Sequence, residues 1–241
     1  QMSQIYSDSS FAIRSDLVAV HGAMMESFCA PGTWFDANER REIVALSRRA
    51  RAEQGLEILG YVDEVRNIDL PSGALKLIDM VSCESEKIDK NFYLELVSNG
   101  LLAEQYVEIV GLVTRAISVD TFCRSLGLSM CLLADARDGV PSRELPDTAT
   151  IDHAWVPIIP AGSKGGAPAT ALYGETDFVA NIFSALSLVP GEASGVMQLG
   201  QTQYVGMNDF QNFKFFRDEN FSRAQLELVA ARISALNNCF Y

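Results

Sequence analysis

The sequence is poor in three things that decide function classes. It has only two histidines, His21 and His153, in 241 residues. A site built on several imidazoles is therefore nearly excluded. It has few cations: 19 Lys and Arg stand against 31 Asp and Glu, a net charge of −12. A chain this acidic carries no basic footprint for a phosphate backbone, so nucleic acid is not expected as a partner. An anionic membrane surface would repel it for the same reason. It also lacks an apolar run near the roughly 18 residues of a transmembrane helix. No Lys- or Arg-headed secretory leader opens it, and Met2, after Gln1, reads as the native start. These absences point to the cytoplasm. The five cysteines (Cys29, Cys83, Cys123, Cys131 and Cys239) are odd in number and widely spaced, unlike a secreted disulfide framework.

What is present is close to the globular average, 48% hydrophobic and 21% charged. The length suits one large domain or two small ones. Helical punctuation runs through the chain. Residues 11–29 carry apolar positions at roughly helical period. Asp36 and Glu39 match a capping box that opens a helix to about Glu53, ended by Gly55. Residues 55–89 read as helices broken at Pro71, Ser72 and Gly73. A short helix over 90–99 ends at Gly100, and a long one over 102–126 is capped by Gly127. Residues 178–188 pattern as a helix stopped by Pro190, followed by an amphipathic segment over 191–205. Ser222 and Gln225 form a second capping box, opening a helix over 223–236. Strand-like alternation is hard to find, so the fold class is all-α.

Residues 134–172 differ. They hold five of the eight prolines and the run from Gly162 to Gly166. This reads as a linker or long surface excursion. The run lacks the spacing of a phosphate loop. His153 lies in this excursion near Trp155, which is expected to anchor it onto the helices. Glu42-Ile-Val-Ala-Leu can be laid on Glu227-Leu-Val-Ala-Ala at an offset of 185. The echo reads as two copies of one helical unit or as a chance match of short helical segments. The organisation expected is a helical unit over 10–133, the excursion over 134–172, and a second unit over 173–241.

The most informative segment runs from Phe221 to Tyr241. Its pattern is Glu227 on a largely apolar helix, small residues, then Asn237-Asn-Cys239-Phe-Tyr241. This resembles the core of the AhpD-like alkylhydroperoxidase and carboxymuconolactone decarboxylase superfamily, in its peroxidase-related branch. There a helical glutamate precedes Asn-x-Cys-x-Tyr-Cys and then a histidine. Glu227 sits twelve residues before Cys239, the family spacing. Residues 178–190 resemble the helix before the core, and residues 106–113, with Glu108, the helix after it. The resemblance is strong over roughly 90 residues. The chain ends at Tyr241, where the family has the second residue of Cys-x-x-Cys, the one that attacks peroxide. Termination at a UGA codon that natively specifies selenocysteine is the expectation; truncation is the alternative.

The resemblance implies an AhpD-like helical bundle and thiol- or selenol-dependent reduction of hydroperoxides. It implies Cys239 as resolving thiol and Glu227 as a base acting through the missing histidine. Asn237, Tyr241, Glu108 and His153 are the supporting candidates. A dithiol reductant would close the cycle, with no metal or organic cofactor. Family members pack helices across subunits, so a homo-oligomer, dimer or higher, is expected. A thiol reduces a peroxide only as the thiolate, and a helix N-terminus favours that anion. Asn237 and Asn238 read as the break that would place Cys239 at such a start. On a straight helix Glu227 and Cys239 would stand about 18 Å apart, so only a turn between antiparallel helices joins them. The 241-residue chain, without the peroxidatic residue, is expected to be inactive. The alternatives are a non-enzymatic helical binding or scaffold protein and a carboxymuconolactone-decarboxylase-like enzyme. Cys83 and Cys123 read as inert thiols, and nothing around Cys131 suggests reactivity.

Overall fold

The computed structural model describes residues 5–56, 63–152, 154–206, 209, 211–218, 220–237 and 239. His153 and Tyr241 lie outside the described residues. The protein is all-α: nine α-helices occur among the described residues. They are α1 (Ser15–Phe28), α2 (Ala37–Glu53), α3 (Ala74–Cys83), α4 (Lys90–Ser98), α5 (Ala103–Ser125), α6 (Gly166–Tyr173), α7 (Asn181–Ser184), α8 (Pro190–Gln203) and α9 (Arg223–Leu236). The sole extended pairing of named strands among the described residues is a ribbon of β1 (Phe216–Asp218) and β2 (Phe221–Ser222), antiparallel, with Phe216 opposite Ser222. Two compact units divide the chain, Gln1–Met197 and Gln198–Tyr241. The Pro- and Gly-rich segment 134–172 belongs to the first.

In the first unit α5 is the hub. It packs against α1, α2 and α3, and α2 packs in turn on α3. Residues 106–109, Tyr-Val-Glu-Ile, are all buried, and so are Leu112, Val113, Ala116 and Val119. A helix buried on most faces reads as apolar nearly all round, which is why its periodicity is weak in sequence. Ile43, Val44, Leu77 and Ile78 complete the core from α2 and α3.

Local chemistry sets the helix ends. Asp36 accepts the Glu39 N–H at 2.9 Å while Glu39 Oε2 accepts the Asp36 N–H at 2.8 Å, closing the box before α2. Ser222 and Gln225 close the equivalent box before α9. Gly55, Gly100 and Gly127 all adopt positive φ just past α2, α4 and α5. Beyond α5, Leu128 N–H returns to the Cys123 carbonyl at 2.9 Å and Gly127 N–H to that of Arg124 at 3.1 Å. That Schellman closure needs a left-handed residue, supplied by Gly127.

Two expectations are corrected. The helix over 178–188 shrinks to α7, with Phe178 76% and Ile182 65% exposed. Pro190 does not stop a helix but opens α8. Proline suits the first helical position, where its missing N–H has no partner to lose and its φ is pre-set. In the 134–172 segment Ile158 and Ile159 are buried and Trp155 is half-buried. Thr150 and Ile158 exchange backbone hydrogen bonds at 2.9 and 2.8 Å, and Ile159 N–H donates to Ser187 Oγ at 2.8 Å.

The echo between α2 and α9 is out of step at its caps. Asp36 and Ser222 are 186 residues apart, whereas Glu42 and Glu227 are 185 apart. One residue rotates a helical side chain by about 100°. The environments differ accordingly: Glu42 is buried and accepts the Arg66 and Asn67 N–H groups at 2.8 and 2.7 Å.

Candidate functional site

In the second unit, Glu227 sits in the second turn of α9. Arg223, four residues earlier, donates from Nε to Glu227 Oε1 at 2.5 Å. The neighbouring Tyr204 phenol and the Arg223 guanidinium hold the carboxyl below its ordinary range. Tyr204 is pushed up to about 12, by burial and then by the Glu227 carboxylate. Arg223 is itself buried, donates to the Asp209 carbonyl at 3.2 Å and lies 6.0 Å from the Tyr204 ring centroid. The Glu227 side chain is 46% exposed. It is thus an ionised, accessible carboxylate fixed by a phenol and a guanidinium.

Cys239 is exposed. Helix α9 ends at Leu236, Asn237 N–H closes on the Ile233 carbonyl at 3.0 Å, and Cys239 N–H reaches the Ser234 carbonyl at 2.9 Å. This places the break at Asn237, and Cys239 just past the C-terminal end of α9. The nine residue steps from Glu227 to Leu236 span about 14 Å of helix, so α9 itself does not bring Glu227 and Cys239 together.

Glu108, the other carboxylate singled out by sequence, lies in the first unit and is fully buried. It pairs with Arg40 Nη1, and its Oε2 accepts the Trp34 N–H at 2.6 Å. The same Arg40 nitrogen reaches Glu192 Oε1 at 3.0 Å, and Arg115 Nε reaches Glu192 Oε2 at 3.0 Å. Arg115 also donates to Ser27 Oγ at 2.9 Å. Two guanidiniums and two carboxylates thus form a closed, neutral cluster. Glycines make the room. A Cβ on Gly111 would come 2.5 Å from Glu192 Cβ, and one on Gly195 would come 2.7 Å from Arg115 Cδ. Burial raises the Glu108 carboxyl, while for Glu192 the guanidiniums of Arg115 and Arg40 outweigh burial and lower it. A second buried fork joins Arg48 to Asp63 at 2.5 Å and to Asp120 at 2.9 and 2.7 Å. Every charge in these groups is partnered, so both read as internal ion networks rather than as an open reaction site.

Sequence reasoning missed a third grouping. The Cys123 and Cys131 sulfurs lie 4.0 Å apart, both buried. The Tyr6 phenol meets His21 Nδ1 at 2.6 Å, and burial beside the two thiols raises it. The signal available in sequence was Gly127, a helix stop midway between the two cysteines that folds the chain back.

A surface cavity of about 320 Å³ in the first unit is lined by Gly162, Ser163, Thr170, Glu175 and Asp177 among others. Among the described residues no group of three or more His, Cys, Asp or Glu is placed to hold a metal ion. No helix among them is long and apolar enough to cross a membrane. Comparison with known proteins finds no matching family model, no matching curated protein and no matching solved structure.

Proposed function

We propose that the chain belongs to a thiol- or selenol-dependent hydroperoxide reductase of AhpD-like type, with Cys239 as its resolving thiol. One observation carries the reading. An exposed cysteine directly follows the end of a helix that holds an ionised, accessible glutamate between a phenol and a guanidinium. In this reading the residue after Tyr241 is a cysteine or selenocysteine. Its anion attacks the distal peroxide oxygen, the O–O bond breaks and the alcohol leaves. Cys239 then attacks the oxidised sulfur or selenium and water leaves, and a dithiol restores both groups. Glu227 acts as a base through a following histidine, and Tyr204 and Arg223 hold it in place. The reaction is assigned to the cytoplasm.

The test is the native transcript beyond the Tyr241 codon, together with turnover of its product. An in-frame UGA or Cys codon, a histidine a few codons on, and dithiol-dependent peroxide reduction lost in Cys239→Ser support the proposal. A true stop codon there, or turnover indifferent to Cys239→Ser, refutes it.

A non-enzymatic helical partner is the second reading, and α9 favours it. Leu228, Val229, Ile233 and Leu236 are 51–72% exposed along one side of that helix. Such a stripe suits another helix, including one from a second copy in a homo-oligomer.

A further inference from the structure

The first unit holds a second thiol pair, independent of Cys239. Cys123 lies in the last turn of α5, and the closure at Gly127 turns the chain so that residues 128–133 run back beside the helix end. The N-terminal segment is tied to this turn: Asp8 Oδ2 accepts the Ser129 N–H at 2.9 Å, and the Tyr6 phenol lies near the two thiols. The two sulfurs approach to 4.0 Å, a close contact that must shorten to about 2.05 Å in a disulfide. Cys29 is also buried, near the Arg41, Asp63 and Arg48 charges.

We propose that Cys123 and Cys131 are a redox-active pair that hydroperoxides convert to an intramolecular disulfide. The Cys123 thiolate attacks the distal oxygen of the hydroperoxide. The S–O bond forms, the O–O bond breaks, and the alkoxide takes a proton to leave as the alcohol. Cys131 sulfur then attacks the Cys123 sulfenic acid. The S–S bond forms, the S–O bond breaks, and hydroxide leaves as water with the Cys131 proton. Two thiols lose two electrons and one hydroperoxide gains them. A dithiol reverses the bond. Cys123 is the nucleophile: across the 4.0 Å contact the Cys131 S–H donates to its sulfur and lowers it, whereas Cys131 is driven up by that same bond and by burial.

The test uses the full chain carrying Cys83→Ser and Cys239→Ser, which leaves Cys29, Cys123 and Cys131. After hydrogen peroxide or tert-butyl hydroperoxide, free thiols are blocked with N-ethylmaleimide, and the unreduced digest is read by mass spectrometry. Expected are the loss of two of three thiols, one cross-linked peptide joining Cys123 to Cys131, and its disappearance with dithiothreitol. Adding Cys123→Ser abolishes the cross-link, while the circular dichroism of the reduced proteins stays the same. Three surviving thiols, a cross-link through Cys29, or sulfinic acid at either cysteine without a cross-link overturns the proposal. None of these outcomes depends on Cys239, so the peroxidase reading stands or falls separately.

Discussion

Glu192→Gln tests the ion cluster most directly. Glu192 is 2% exposed and accepts from both Arg40 and Arg115. The substitution keeps the shape and removes one charge. Arg40 retains Glu108, but Arg115 is left with neutral acceptors only, and the cluster carries an uncompensated positive charge. Breaking a buried pair from one side costs about 3–5 kcal/mol, because the remaining ion stays desolvated. For a unit of this size each kcal/mol lowers the melting temperature by about 2–4 °C, so the expected fall is about 6–20 °C. Differential scanning calorimetry reads it. Adding Arg115→Met restores neutrality, and the double variant should be less destabilised than the sum of the singles by about 0.5–3 kcal/mol. A fall under about 2 °C for Glu192→Gln, or strict additivity in the double variant, would refute the picture of a closed, dry cluster.

The same residue sets a pH signature. Arg115 and Arg40 hold the Glu192 carboxyl below its ordinary range against the effect of burial. A carboxyl depressed in the fold adds stability above its unfolded pKa, about 4.3, and loses it as pH falls through the folded value. The wild type therefore loses this contribution below about pH 4.3, and the Gln variant has none to lose. Glu108, raised by burial, works in the opposite direction. The gap in melting temperature between wild type and variant should narrow on acidification.

Four further outcomes follow from the geometry. Gly195→Ala drives a methyl to 2.7 Å from Arg115 Cδ, mid-chain in a residue held at its far end, and should cost about 1–3 kcal/mol in urea unfolding. Neutral stability there would mean that α5 and α8 approach less closely. Burial lowers His21 to about 4, so it stays neutral in the fold while an unfolded histidine charges near pH 6.5. Stability should decline as pH falls from about 6.5 to 4, and His21→Phe should flatten that part of the melting-temperature profile. Glu227→Gln removes a half-exposed i,i+4 pair and should cost no more than about 1 kcal/mol, which separates any loss of turnover from loss of fold. In the native chain, iodoacetamide should alkylate Cys239 before any other cysteine; faster labelling of Cys29, at 1% exposure, would contradict the packing of α1.

Helix existence was legible wherever a capping pair and a glycine bracket a segment. The pairs at Asp36 and Ser222, and the glycines at 55, 100 and 127, act through bonds confined to one turn, so no distant residue is needed to interpret them. Residues 178–190 were not legible. Apolar spacing there suggested a helix, but Pro190 serves equally as a stop or a first residue, and only the packing of α8 decides. The ion cluster was invisible for the opposite reason. Its four charges come from positions 40, 108, 115 and 192, and its room comes from glycines that carry no charge signal at all.

Glu108 and Glu227 show how far the sequence reaches. Each carboxylate sits on a helix between large apolar neighbours, and by pattern alone they are equivalent. Glu108 occupies the hub helix, so its neighbours face packed helices on several sides and it must bring its cation inside with it. Glu227 occupies a helix whose Leu228, Val229 and Ile233 remain exposed. Its cation, Arg223, comes from its own helix four residues earlier, and the carboxylate keeps one side in water. Flanking hydrophobicity therefore does not distinguish a structural ion from an accessible base. The distance in sequence to the nearest partner does so here: four residues for Glu227, against 68 and 74 for the Arg40 and Trp34 groups that hold Glu108. A carboxylate held from within its own helix can be solvated on its outer side, whereas one held across the core is surrounded. On that ground Glu227, not Glu108, is the carboxylate to carry into Gln substitution when peroxide turnover is assayed, and a loss of turnover with Glu108→Gln should be accompanied by a fall in melting temperature.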